Sequence, residues 1–389
     1  MNRPTRRPRP RARPGSGGFT LVELLVAVVI GLAMTLAVTL MLTRYESGRR
    51  TLTSVNDASI GGAYVSFLID RSVRSAGSGF MQSWVNAGGC RVMASRGGTQ
   101  VLPRTAAFPA PFADVPQTVR LAPVVVHAGA GTGGSDIIAI HTGSSGLGEA
   151  PMPILPGSVT TDDLRLGATV GLRGGDLVLV YQDTTNCLLQ EVRAGFTGGA
   201  DQQLLLGGTY ADSDIDGVEL IGIGATDPAW VVPLGNTGAA RPQFQLIGVA
   251  ANATLVTHDM LQLDGTDNVV AIADGVADLR VRYGVDTDDN GRVDTWVNPA
   301  SAGWTGVDLQ SGTEAARQNL ARILALRIAL ITRTQTPERE DVSPETLVLF
   351  PDLDAALQID RDLSTDERKL RWRVLDFTVP LRNPLLLGP

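Results

Sequence analysis

An α+β fold, one long amino-terminal helix joined to an antiparallel β-rich head, is what three features of this 389-residue chain predict. The first is the run LLVAVVIGLAMTLAVTLML, residues 24–42, which contains no charged side chain. The second is an apolar spacing of three and four that continues beyond Arg44. The third is a long series of short apolar runs separated by Gly, Pro and Asp, with no helix-length period between them. The first two give the helix, and the third gives a sheet protein built from hairpins.

The nineteen residues of the apolar run span about 28 Å at helical rise, close to the hydrocarbon thickness of a bilayer. Ahead of it stands MNRPTRRPRPRARPGSGG, with six Arg and no acid, so the positive-inside tendency leaves residues 1–18 in the cytoplasm and the remainder outside. A secretory leader would have a shorter apolar stretch and a small-x-small cleavage site, whereas this run ends Met41-Leu42-Thr43-Arg44. Within the segment the only charge is Glu23, in GGFTLVELLV. An ionised carboxylate at that depth is costly unless paired, so Glu23 reads as a functional residue.

Beyond Arg44 the apolar positions Leu52, Val55, Ile60, Tyr64, Phe67 and Leu68 give an amphipathic stripe, expected to face the head. Gly61-Gly62 weakens the helix there by about 1 kcal/mol per residue and invites a bend. The helix is expected to stop at Ala76-Gly77-Ser78-Gly79, giving a rod of roughly 80 Å over residues 20–75. The division is then a basic leader over 1–18, a membrane half over 19–43, an amphipathic half over 44–76 and a β-rich head over 77–389. Residues 80–121 lack a clear period and read as a long loop with room for one short strand. Strands are expected from about residue 124 onward, the longest at 276–283, 323–332 and 371–381. After the leader the chain carries a net charge of −13, which argues against nucleic-acid binding through its bulk surface.

Four groups of residues invite chemistry. Asp286-x-Asp288-x-Asn290-Gly291-x-x-Asp294 has calcium-loop oxygen spacing, with the Arg292 carbonyl as a further ligand, but position twelve is Val297 rather than Glu. The same residues suit a solvated hairpin turn, and both readings stand. Cys90 and Cys187, the only cysteines, are either one disulfide of an exported protein or two separate buried thiols. Gly129-x-Gly131-x-x-Gly134 matches a dinucleotide fingerprint, but SDIIAIHTG after it is a strand, so a glycine hairpin is expected. His127, His141 and His258 form no ligand pair, no catalytic motif is present, and an enzyme is not expected. Trp296 and Trp304 flank the acidic loop and are expected to pack inward.

The leader ending in Gly18, followed by Phe19-Thr20-Leu21-Val22-Glu23 and the apolar helix, resembles the class III signal of type IV pilins and type II secretion pseudopilins. Further on, Ala76-Gly77, Gly89-Cys90, Tyr283-Gly284-Val285-Asp286, residues 323–333 and Leu381-Arg382-Asn383 resemble the minor pilin family PilW. That resemblance implies cleavage by prepilin peptidase between Gly18 and Phe19, N-methylation of Phe19, and a salt bridge from its amine to Glu23 of a neighbouring subunit. It implies a structural minor pilin of the inner membrane and then the pilus, with other minor pilins, the major pilin and a tip adhesin as partners. No cofactor is implied apart from the calcium the acidic loop allows. Competing readings are a minor pseudopilin of type II secretion and a tip module that binds a surface or glycan.

Overall fold

The computed structural model describes residues 18, 20–144, 150–238 and 240–383, apart from the side chains of residues 43, 44, 46–48, 50–55 and 57–59 in the first helix. Phe19, the leader up to residue 17, and the side chains of Leu52 and Val55 therefore lie outside it. The chain divides into two compact units, Met1–Ser54 and Val55–Pro389, and the division falls inside one continuous helix, α1 (Leu21–Ser75).

In the second unit α1 buries Val65, Ile69 and Val73, and Ala76 directly after its end is buried with them, each 1% exposed or less. Their spacing of four, four and three keeps them on one face. This corrects the sequence expectation for the stripe: Ile60, Tyr64 and Phe67 are 61%, 53% and 60% exposed and point away from the head. The helix here has two apolar faces, and the smaller β-branched set wins the interior because it allows close approach to the sheet. Gly62 shows how close. A Cβ placed on it would lie 2.6 Å from Leu375 Cδ1 and 3.5 Å from Thr332 Cγ2. The helix runs unbroken through Gly61-Gly62, so Gly62 serves as a packing point and not as a bend.

Three larger sheets and three two-stranded ones build the described part of the head. The first has six strands in the order Thr99–Leu102, Arg91–Arg96, Asn186–Glu191, Asp176–Tyr181, Trp230–Asn236, Met152–Pro153. The second runs Val269–Asp274, Thr254–Asp259, Gln243–Ala250, Ile137–Thr142, Val124–His127. The third runs Thr295–Val297, Val276–Val285, Ile323–Arg333, Trp372–Pro380. Pairing is antiparallel throughout these sheets with one exception: Arg91–Arg96 lies parallel to Asn186–Glu191, with Val92 opposite Cys187. Cys90 and Cys187 are joined as a disulfide at that junction, their Cα atoms 5.8 Å apart.

Residues 80–121 hold more structure than the loop and single short strand expected there. They hold a 3-10 turn (Met81–Ser83), a short helix (Trp84–Ala87) and the two strands Arg91–Arg96 and Thr99–Leu102. Gly97 and Gly98, both at positive φ (57° and 75°), turn one strand into the other, as Gly-Gly does in a two-residue hairpin.

One large core gathers α1, the second and third sheets and one face of the first sheet. A second cluster, including Met93, Val178, Val180 and Leu188, covers the other face of the first sheet. A third lies under the hairpin Thr346–Leu349/Ile359–Asp362, where Ile331, Leu349 and Phe350 meet Val374. The alternation of Val374 toward that hairpin and Leu375 toward α1 sandwiches the third sheet between them.

Candidate functional site

At the amino end of α1 the sequence Thr20-Leu21-Val22-Glu23 folds into a capping box. The Thr20 hydroxyl accepts from the Glu23 N–H at 3.3 Å. In return Glu23 Oε2 accepts from the Thr20 N–H at 3.1 Å and the Thr20 hydroxyl at 3.0 Å. Thr and Glu at this spacing are a sequence signature, yet the acid alone suggested only a partner in another subunit. The geometry gives Glu23 a partner of its own within the subunit. A carboxylate at the third helical position also faces the positive end of the helix dipole.

From this box the helix offers an unbroken apolar surface. Leu21–Leu42 is long and apolar enough to cross a membrane, at mean hydropathy 2.7. Its large side chains are 50–78% exposed, Val26 least and Leu21 most. The polar residues in it are satisfied locally: the Thr35 and Thr39 hydroxyls donate to the Gly31 and Thr35 carbonyls, each at 2.7 Å. Such back-bonding lets threonine sit in an apolar medium without an orphaned hydroxyl.

In the acidic loop, carboxylate oxygens of Asp286, Asp288 and Asp294 lie within 4.8 Å of one another. The other predicted ligands do not join them in the same way. The Asn290 side chain accepts from the Arg292 N–H at 2.8 Å and so closes its own turn. Asp286 accepts from the N–H groups of Asn290 (3.1 Å) and Gly291 (2.6 Å). Asp294 accepts from the Thr287 N–H (2.7 Å) and hydroxyl (2.9 Å), which hold its carboxyl below the usual range. The Arg322 guanidinium pairs with Asp289 at 3.2 Å, bringing a positive charge to the loop. The donor set is that of a hard cation site, and protein hydrogen bonds from Asn290, Gly291, Arg292 and Thr287 already close the loop. The expected result is therefore a Tm that EGTA leaves unmoved. A calcium-dependent rise in Tm, reversed by EGTA, would overturn that expectation.

The Tyr-Gly-x-Asp element gains a physical account here. Tyr283 is fully buried, and its hydroxyl accepts from the Val126 N–H at 2.6 Å, tying the third sheet to the second. Gly284 leaves room for the Trp296 ring, which lies 2.9 Å from where a Cβ would stand. Asp286 then caps the turn. Trp304 packs against the main core, tilted over Tyr283 at 6.2 Å. Asp136, a residue the sequence did not single out, joins the same two sheets by accepting from the N–H groups of Gly129 (2.9 Å) and Val281 (2.8 Å). Burial raises its pKa.

The glycine motif at 129–134 ends in a 3-10 turn and leads into the strand Ile137–Thr142, so no helix terminus faces it. His127 and His141 are buried and His141 stacks on Phe244 at 4.6 Å. A groove of about 420 Å³ between α1 and the second sheet is lined by Leu68, Arg71, Thr142, Arg241, Gln243 and Leu255 among others, none of them His, Cys, Asp or Glu.

Residues 13–39 match the family model described as the prokaryotic N-terminal methylation motif, and residues 246–383 match that of type IV pilus-assembly protein W, PilW. The first match brackets Gly18, the capping box and most of the apolar helix. The second runs from the second sheet through the acidic loop to Asn383. No curated protein and no solved structure matches the chain.

Proposed function

We propose that this chain, with its matches to PilW and to the prepilin methylation motif, is a membrane-anchored minor pilin of the type IV pilus that primes or caps pilus assembly. The observation that carries this reading is the exposed apolar surface of Leu21–Leu42, opened by one carboxylate. Such a surface is stable in lipid or against other helices, and unstable in water.

In this reading the leader stays cytoplasmic and the head lies in the periplasm until assembly. Prepilin peptidase cuts between Gly18 and Phe19, and the Phe19 amine, once methylated, meets Glu23 of an adjacent subunit. The capping box adds a step: Glu23 must share or leave its Thr20 contacts to take the new partner. A carboxylate already held by local hydrogen bonds lowers the cost of waiting unpaired in the membrane. Other minor pilins, the major pilin and a tip adhesin are the proposed partners. The exposed Ile60, Tyr64 and Phe67 give the second unit an apolar helix face of its own for such partners.

Intact mass and amino-terminal sequencing of protein purified from native membranes test processing. The expected mature chain begins at N-methylated Phe19, and retention of residues 1–18 in cells whose other pilins are processed would overturn the proposal. The Glu23→Gln variant is expected to be inserted and cleaved normally but to reduce piliation at least tenfold. Unchanged piliation would remove Glu23 from the assembly mechanism.

A further inference from the structure

The carboxyl end of α1 is fastened by residues from distant parts of the chain. A helix leaves its last four carbonyls without intrahelical partners, and a buried end needs them satisfied. Here Gly77, at φ 82°, turns the chain out of the helix, and its N–H donates to the His141 carbonyl at 2.8 Å. The Ser75 carbonyl accepts from the Thr142 hydroxyl at 2.8 Å and from the Asn383 amide at 3.2 Å. The same Asn383 amide donates to the Ala76 carbonyl at 2.8 Å. The Ser78 carbonyl takes the Gly143 N–H at 2.6 Å. The two Asn383 bonds bridge sequence separations of 308 and 307 residues.

We propose that Asn383 is a latch that ties the end of the assembly helix to completion of the head. Asn383 follows the strand Trp372–Pro380, which pairs with Ile323–Arg333 along its whole length. Leu381, between that strand and the latch, is fully buried and donates its N–H to the Leu324 carbonyl at 2.8 Å. The amide reaches the helix end only when this strand has taken its place in the third sheet. Until then the Ala76 carbonyl lacks this donor, and the Ser75 carbonyl keeps only the Thr142 hydroxyl and the Ser78 N–H. A subunit with an unfinished third sheet therefore presents a helix end tied to the second sheet alone, through His141, Thr142 and Gly143. The chemistry of the contact requires a donor. An NH₂ group between two carbonyls at the negative end of a helix is favourable, whereas an isosteric carboxylate there has no proton to give and meets like partial charge.

The test is hydrogen exchange on the full chain in detergent micelles, comparing wild type with Asn383→Asp and Thr142→Val. The reporter amides are Ala76, Gly77 and Ser78, with the strands Val276–Val285 and Ile323–Arg333 as the reference. The expected result for Asn383→Asp is exchange about tenfold faster at the reporters, of the order of a lost helix cap, with the reference strands unchanged. Thr142→Val, which removes only one of the donors to Ser75, is expected to act in the same place and more weakly. Equal loosening of the reference strands would make Asn383 a general stabiliser and overturn the latch, as would unchanged exchange at the reporters. A second measurement fixes the order of events. In pulse-labelled refolding, the reporters are expected to gain protection no earlier than the strand Trp372–Pro380, and earlier protection would refute the coupling. Neither experiment depends on the proposed role in the pilus, so the latch can fail while that role stands.

Discussion

Removing the Cys90–Cys187 bond is expected to cost about 2–5 kcal/mol of unfolding free energy, the typical cost of losing a native disulfide. The bond closes a sequence separation of 97 residues, and the chain-entropy model gives about 4.7 kcal/mol for a loop of roughly 100 residues. Its position makes the effect local as well as global. The strands it joins, Arg91–Arg96 and Asn186–Glu191, form the only parallel pair among the described sheets, at Val92 opposite Cys187. A parallel pair cannot be held by a tight hairpin, so its register depends on what lies around it. Both cysteines are fully buried in the main core, and Cys187 pairs across the strands with Tyr181. Cys90→Ala with Cys187→Ala is the cleaner variant, because serine would bury two hydroxyls that need partners. Guanidinium melts of this double variant, and of wild type with and without reductant, measure the cost. A midpoint unmoved by either treatment would show that the strands hold their register unaided.

Why some of this was legible and some was not follows from particular residues. α1 was readable nearly to the residue, because a charge-free run and the stop Ala76-Gly77 both act locally. The strand Asp176–Tyr181 was equally plain, since DLVLVY is bounded by Gly174-Gly175 and a polar turn. Which face of α1 goes inside was not readable. Ile60, Tyr64 and Phe67 compete with Val65, Ile69 and Val73, and the decision lies with Leu375 and Thr332, some 270–313 residues away in the sequence. The strands at 91–102 were hidden by Arg and Gly, although Gly97-Gly98 between two short apolar runs was a usable hairpin signal. The candidate site divides the same way. Glu23 stood out as a charge in an apolar run, while its partner Thr20, three residues earlier, passed as an ordinary polar residue. Asn383 carried no signal as a cap, because a side chain that caps a helix 308 residues away has no local pattern.

Acidification from pH 7 to 4.5 is expected to remove several kcal/mol of stability from the head, chiefly through the buried imidazoles of His127 and His141, with His258 lowered by burial in the same direction. Burial pushes the pKa of His127 down to about 4 and that of His141 down to about 4. In the unfolded chain both titrate near 6.5. Between those values the unfolded state binds more protons than the folded one, so stability rises with pH across this window. The contribution is complete above about pH 6.5 and is lost as pH falls toward 4. At 1.36 kcal/mol per pH unit, each histidine accounts for about 3 kcal/mol over the full window and about 2–3 kcal/mol by pH 4.5. The two repel each other's proton, so their effects do not simply add. Asp136 acts in the opposite direction: its raised pKa means that protonation on acidification favours the folded state. The imidazoles are held neutral for structural reasons. His141 accepts the Ala122 N–H at 3.3 Å while stacked on Phe244, and His127 packs so tightly against Gly306 that no Cβ fits there. A proton on His141 would oppose that N–H and place a charge on the strand Ile137–Thr142, next to Thr142, one of the two side chains that donate to the Ser75 carbonyl. Urea melts between pH 4 and 8 on wild type, His127→Asn and His141→Asn separate the two histidines. Each variant is expected to lose its share of the slope between pH 4 and 6.5 while retaining any acid sensitivity below pH 4. A wild-type profile that is flat between pH 4.5 and 7 would show that neither imidazole is held neutral by burial.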